Sequence, residues 1–290
     1  MFVKKVPLTE LETRPENVRS TANLFGLPAF YHYGIGSAGF GAWRELAVHS
    51  MTTHWVLGGE HDGFPLMYHW RVLPDTAPEG LMDFLGGVDG AVAHWDGSPA
   101  VRERLEAIGR AGHSLVLFLE HVPQTLTAWL REASPDAYAW ADEAVTRGAA
   151  FMRSRGLVHF DAHFDNLLTD GRRVYFADFG LALSADFELS PDERRFLTDH
   201  RAYDRDYTAA HLLRHHLLNR YRGDTGASVF LERWLAGERP GGIPTEAAAL
   251  VDRHARTAVV LAGFQHRLLK ESKRTPYPAA ELDRVTASAG

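Results

Sequence analysis

Short apolar runs and longer stretches of 3.6-residue period alternate along this chain. Leu115, Val116, Leu117, Phe118 and Leu119 form an unbroken apolar run, which predicts a buried strand over 115–119. Residues 2–6 predict a second strand, stopped by Pro7, and residues 64–73 a third, ended by Pro74. Over 42–56, Trp43, Leu46, Ala47, Met51 and Trp55 share one face of a predicted amphipathic helix, with Glu45 on its flank. Residues 9–33 are polar and then aromatic, with little helical character. Two short helices are predicted within 79–112, the second opening at Ser98-Pro99. Beyond residue 120 the pattern turns helical. Residues 126–130 open one helix. A longer one follows, with Ser134 as its cap, Pro135 in its first turn and Gly156 at its end. Its inner face is Ala137, Trp140, Ala141, Ala144, Val145, Phe151 and Met152. Later helices are predicted after the Ser190–Glu193 capping box, over 206–221 and over 244–270. There is no internal repeat.

One interruption in the helical half matters most. Apolar runs at 167–169 and 174–176 flank Asp170-Gly171, which predicts a tight hairpin. Asn166 immediately precedes that hairpin, and Asp178 lies just past its end. Such a hairpin brings an amide oxygen and a carboxylate to one end of the ribbon, a donor set suited to a hard cation such as Mg²⁺. Asp161, a few residues upstream, is placed to act on a group that meets the metal-bound phosphate.

Composition narrows the partners. The 290-residue chain is 45% hydrophobic and 23% charged, with a net charge of −6, so it lacks the basic footprint of a nucleic-acid or anionic-membrane binder. It has no cysteine, which excludes disulfides and thiol chemistry. No apolar run is long enough to span a bilayer, and no apolar core of a signal peptide follows Lys4-Lys5, so a cytoplasmic location and no membrane partner are expected. Lysine occurs at four positions only, Lys4, Lys5, Lys270 and Lys273, so any role that needs a lysine has few candidates.

His159-Phe160-Asp161, then Asn166, then Asp178-Phe179-Gly180, resembles the catalytic and metal-binding core of the protein-kinase-like superfamily. Asp161-Ala162-His163 is closer to the aminoglycoside phosphotransferases and related small-molecule kinases, whereas Asp178-Phe179-Gly180 is closer to the protein kinases. The resemblance implies an α+β, bilobal protein-kinase-like fold. Residues 1–120 would form a small mixed N-lobe with an antiparallel sheet and a helical insertion at about 75–113. Residues 121–290 would form a mainly helical C-lobe. It implies ATP and Mg²⁺ as cofactors and a hydroxyl-bearing acceptor, a small molecule or a protein. No Ala-Pro-Glu follows Gly180 before Asp206, which favours a small molecule.

By the same resemblance, Asp161 would orient the acceptor hydroxyl and take its proton, with His159 bracing the loop and His163 near Asp178 or phosphate. Asn166 and Asp178 would hold Mg²⁺. Lys4 would hold the ATP phosphates with Glu45 as its ion-pair partner, and Glu120 and Val122 would offer backbone to the adenine edge. The family's glycine-rich hairpin precedes the lysine strand. Here nothing precedes that strand, so the chain is expected to begin downstream of that hairpin or to work without it. A glycine-rich stretch does occur later, at Gly34, Gly36 and Gly39, in the context of a connector more than of a phosphate loop. Two rivals stay open. A catalytically weak, nucleotide-binding regulator would fit the missing hairpin. A non-haem iron oxygenase would use His159-x-Asp161 with one more of the sixteen histidines, but would need many strands around that pair. Oligomeric state is not legible.

Overall fold

The computed structural model describes residues 1–34 and 36–287; Ile35, inside the glycine-rich stretch, lies outside them. The chain mixes helices with small antiparallel sheets. Its first elements are β1 (Phe2–Leu8), α1 (Glu10–Thr13), α2 (Ala42–Leu57), β2 (Met67–Pro74), α3 (Gly87–His94), α4 (Pro99–Ile108) and β3 (His113–Leu119). Next come β4 (Gln124–Thr125), α5 (Leu126–Glu132), α6 (Ala137–Ser154), β5 (Leu157–Val158), β6 (Leu167–Thr169), β7 (Val174–Phe176) and β8 (Leu183–Ser184). The last are α7 (Pro191–Asp199), α8 (Tyr203–His211), α9 (Ala227–Leu235), α10 (Thr245–Lys270) and α11 (Ala279–Ala287). Among the described residues, no helix is long and apolar enough to cross a membrane.

The chain divides into two compact units. The first comprises Met1–Val122, Gly156–Asp161 and Ala177–Thr198. Its main sheet is antiparallel in the order β1-β3-β2, with Lys4 opposite Leu117 and Trp70 opposite the same residue from the other side. One face of that sheet packs Leu115, Leu117 and Leu119 against Leu8 and against Ala42, Trp43 and Leu46 of α2. Pro7 does not stop the first strand. It pairs with Ser114, which is tolerated because β1 is an edge strand with a neighbour on one side only. A two-stranded ladder, Leu157 opposite Ser184 and Val158 opposite Leu183, ties the segment before His159 to the one after Gly180.

Helix α2 also departs from expectation. In place of one apolar stripe, it buries Arg44, Glu45, His49 and Thr52 along with its apolar residues. Burial of that kind needs partners, and α1 supplies the first. Thr9 and Glu12 form a capping box, a Thr-x-x-Glu signal that the hydrophobic pattern does not reveal. The Glu12 carboxylate then accepts from Ala42 N at 2.8 Å, which caps α2, and from Arg104 Nη1 of α4 at 2.9 Å. Burial alone would raise the Glu12 pKa, but Arg104 and the Thr9 donors outweigh it and hold the carboxyl below its ordinary value.

The second unit comprises Pro123–Arg155, Ala162–Phe176 and Asp199–Gly290. Its sheet runs β4-β6-β7, and the β6–β7 hairpin has the expected register, with Leu167 opposite Phe176. Asp170 Oδ1 accepts from the N–H groups of Arg172 and Arg173, both at 2.8 Å, and fixes the turn. Helix α6 lies against β7 so closely that a Cβ on Gly148 would stand 2.2 Å from the Phe176 ring. This helix begins at Ala137. Ser134 is not its side-chain cap; its carbonyl instead accepts from Ala137 N in a preceding turn.

The helix expected over 206–221 is broken into α8, a π-helix at Leu212–Leu217 and a 3₁₀ turn at Leu218–Arg220. Leu212, Leu213, Leu217 and Leu218 are all buried. Residues five apart diverge on an α-helix, and the wider π turn returns both pairs to the core. Helices α9 and α11 were not legible in the pattern. Both are short, and α9 follows Gly226 with no side-chain cap.

Glu12→Gln should destabilise the protein by about 3 kcal/mol, because Arg104 would be left buried and unpaired. The sign with pH follows from the depressed carboxyl. Its contribution is present above the ordinary value of 4.5 and is lost as the pH falls through the lower folded value. Urea melts of both proteins at pH 7 and pH 3 should show the gap at pH 7 and its narrowing at pH 3.

Candidate functional site

The first unit gathers three of the residues picked out from sequence. Lys4 Nζ on β1 stands 2.6 Å from Glu45 Oε1 on α2 and 2.8 Å from Asp178 Oδ1. Lys4 and Asp178 are 174 positions apart in the chain. The Lys4 side chain is 22% exposed and Glu45 only 4%, so this pair is largely withdrawn from water, whereas Asp178 is 49% exposed. Burial by itself would lower the lysine pKa. The charges of Glu45 and then Asp178 outweigh it and hold Lys4 protonated well above its ordinary 10.5. For Glu45, burial would raise the pKa, but Lys4 and then His49 pull it down to about 2.

Glu45 and His49 stand one turn apart on α2, with Nε2 of His49 3.8 Å from Glu45 Oε1. The His49 ring meets Phe179 edge-on at 5.1 Å, and Phe179 also touches Phe64 and His159. The side chain between Asp178 and Gly180 is thus fully buried among rings, which fixes the turn that presents Asp178. That turn is strained: Asp178 has φ +61°, a left-handed conformation uncommon outside glycine. Oδ2 of Asp178 has no partner among the described residues.

His159 is wholly buried. Its Nε2 meets Ala177 O at 2.9 Å, and its Nδ1 accepts from Asp161 N at 3.2 Å. Those two contacts assign the proton to Nε2 and make the ring a brace between the residue before Asp178 and the backbone of Asp161. Phe160, between them, also has a left-handed φ of +65°. Strained, non-glycine backbone at both Phe160 and Asp178 is the kind of feature that clusters at functional sites.

The glycine-rich stretch lies against this same region. A Cβ on Gly34 would stand 3.1 Å from Asp161 Oδ1, and one on Gly39 would stand 2.6 Å from Gly180 O. Gly39 has φ +74°, so both its conformation and its close approach to the Gly180 backbone require glycine. It is a packed connector beside Asp161. Trp95 Nε1 anchors it by donating to Gly36 O at 3.0 Å.

No family model matches this chain, and no curated protein matches its sequence.

Glu120 ends the strand region of the first unit, with its N–H bonded to Leu66 O at 2.7 Å and its Oε2 accepting from Leu66 N. Val122 is the last residue of that segment of the first unit. His163 and Asn166 belong to the second unit. There His163 O accepts from Asn166 N at 2.8 Å, its Nδ1 accepts from Asp165 N, and its ring neighbours His211. Burial first, and then the neighbouring His215, His216, His163 and Arg214 side chains, press His211 down to about 2, so that ring is neutral.

Sequence reasoning missed His49 and Glu12. The first had a signal, the four-residue spacing from Glu45 on one helix. The approach of Gly34 to Asp161 and of Gly39 to Gly180, within the stretch read as a connector, had none.

The Lys4–Glu45 pair sets a pH window. Its contribution from Glu45 is present above 4.5 and lost as the pH falls toward about 2. Its contribution from Lys4 is present below 10.5 and lost as the pH rises through the higher folded value. Glu45→Gln should therefore cost about 2 kcal/mol between pH 5 and pH 10 and progressively less below about pH 4. Chemical denaturation across that range measures it, and a gap that does not change with pH would contradict the assignment.

Proposed function

We propose that this protein is an ATP- and Mg²⁺-dependent phosphotransferase with a bilobal, protein-kinase-like fold, moving the γ-phosphoryl group to the hydroxyl of a small molecule. The observation that carries the reading is the Lys4–Glu45–Asp178 cluster. A lysine held charged by a helix glutamate, beside the aspartate of Asp178-Phe179-Gly180, is the arrangement by which protein kinases hold nucleotide phosphates.

The residues fit the implied cation. Asp178 is half-exposed, and its Oδ2 is uncommitted among the described residues. By the resemblance alone, Asn166 would supply an amide oxygen. Mg²⁺ usually takes few protein ligands and completes its shell with water and phosphate oxygens, so it needs no larger protein cage. Bound there, it would neutralise charge on the phosphate oxygens. The rest of the chemistry belongs to the chain. Lys4 withdraws charge from the phosphates, and Asp161 orients the acceptor hydroxyl and takes its proton late in a loose transition state. His159 holds the Asp161 backbone through its Nδ1.

A small acceptor is supported by what covers the segment after Gly180. His32 Nδ1 meets Leu181 O at 2.7 Å. Ser20 Oγ and Thr21 N both donate to Glu188 Oε2, and Glu188 N donates to Thr21 Oγ1. A protein substrate would use this stretch as a docking edge, and here the chain's own residues occupy it.

Mg²⁺ and ATP together should raise the melting temperature by several degrees, and Asp178→Ala should abolish the Mg²⁺-dependent part. Asp161→Asn should keep the nucleotide shift and lose transfer in a screen of ATP consumption against hydroxyl acceptors. Absence of any nucleotide shift in the wild-type chain would remove the basis of the reading. Nucleotide binding without consumption on any acceptor would leave a nucleotide-binding regulator instead.

A further inference from the structure

Three histidines on the broken helix of the second unit carry none of the roles assigned above. His211 closes α8, and His215 and His216 lie in the π turn that follows it. Residues five apart, such as His211 and His216, stand about 140° from each other around a regular α-helix. The π turn bonds residues five apart instead, and so brings the two onto one side. Their ring centres are 5.1 Å apart, and the His215 ring stands 4.7 Å from that of His211. The turn that returns two leucine pairs to the core therefore also gathers three imidazoles.

Phe164 holds two of those rings in place. Its own ring is wholly buried, stacks on His216 at 4.8 Å and 14°, and meets His211 at 4.8 Å and 41°. Burial first, and then the charge of His215, presses His216 down to about 4, so it is neutral at pH 7, as His211 is. A neutral imidazole offers a nitrogen lone pair, which is what a metal ligand needs. Nδ1 of His211 and Nε2 of His216 are both buried and have no hydrogen-bond partner among the described residues. Buried polar atoms left in that state call for an explanation, and an ion or a water that meets them supplies one.

The chemistry of the donors selects the ion. Imidazole nitrogen suits Zn²⁺, Cu²⁺ or Ni²⁺, whereas Mg²⁺ prefers oxygen. With Zn–N bonds of about 2.0–2.1 Å at a tetrahedral angle, two ligating rings stand about 5 Å apart, centre to centre. The observed 4.7 and 5.1 Å match that spacing. Asp165 favours positive charge at His216, while Arg131 and Arg214 oppose it at His216 and His215. The affinity must therefore come from the nitrogen lone pairs and not from net charge. Among the described residues, no three such side chains already surround one point. His211 and His216 are the fixed pair, and exposed His215 can turn in as a third ligand, with water completing the shell.

We propose that His211 and His216, joined by His215, bind a divalent transition metal such as Zn²⁺, which pins the π turn by bridging its two ends. This site stands whether or not the chain transfers phosphate.

The full chain, stripped with a chelator, is titrated with Co²⁺ as a visible reporter for Zn²⁺, in excess Mg²⁺ to occupy any oxygen-ligand site. The wild type should develop one equivalent of a d–d absorption band, which Zn²⁺ then bleaches. His216→Phe keeps a ring against Phe164 but removes the nitrogen. It should lose the band and weaken Zn²⁺ binding at least ~10-fold, since removing a ligand costs no less than removing a group that merely supports one. His211→Asn should do the same and guards against a single variant that does not fold. His54→Gln, an exposed histidine of the first unit, should leave the band unchanged. Zn²⁺ should also raise the melting temperature of the wild type and of neither cluster variant. A wild-type chain that gives no Co²⁺ band in excess Mg²⁺ would overturn the site. So would a His216→Phe protein, folded by circular dichroism, whose Zn²⁺ affinity stays within twofold of wild type. Either result would leave the two nitrogens to a buried water.

Discussion

A charge taken out of water must find an opposite charge or a set of hydrogen-bond donors, and helix α2 takes two out side by side. Arg44 and Glu45 are both buried, and a third buried charge, Glu12, caps the helix where it starts. Each of these groups finds its partner on a different element: α7, β1 and α4 respectively. The sheet, the connector from Thr9 to Gly41 and the segment after Gly180 are therefore bound to one helix by electrostatics that tolerate little displacement. Apolar packing of Trp43 and Leu46 on β3 would hold α2 in place; it would not by itself choose its rotation.

That constraint is matched by strain nearby. Phe160 and Asp178 both have positive φ, and each precedes or carries a side chain of the candidate site. Conformations of this kind persist only where the surroundings over-determine them. His159 supplies one such surrounding contact by bridging Asp161 N and Ala177 O, and the buried Phe179 ring supplies another. The local backbone energy is thus raised where side-chain direction matters, and the cost is spread over contacts that have no other evident use.

Much of this was legible in the residues themselves. The β6–β7 hairpin was fixed by Asp170-Gly171, β3 by its apolar run, and α4 by Ser98-Pro99, because each signal is local and strong. Lys4, Glu45 and Asp178 could be named because lysine is so rare in the chain and the Asp-Phe-Gly turn so specific. What failed to show was non-local. A hydrophobic pattern counts Arg44 and Glu45 as exterior, because it has no way to register that Glu193 and Lys4 will neutralise them. It reads Leu213 and Leu217 as an ordinary helix stripe, because the five-residue spacing of two leucine pairs becomes a π turn only when a core demands it. Pro7 was over-read for a similar reason: whether proline ends a strand depends on whether that strand has one neighbour or two.

The connector between β1 and α2 shows most clearly how far the physics of the first unit departs from a simple sheet-and-helix frame. Residues 9–41 contribute the Glu12 carboxylate, the Thr21 carbonyl, the His32 ring and the Gly39 backbone, and every one of them meets α2 or the stretch from Asp161 to Glu188. A stretch whose backbone groups at Leu181 and Glu188 are already bonded within its own unit has little to gain from ordering around a partner, because the enthalpy of those bonds is already realised. A switch that works by ordering this segment would first have to break them. In this chain the connector makes the folded arrangement of that segment the default.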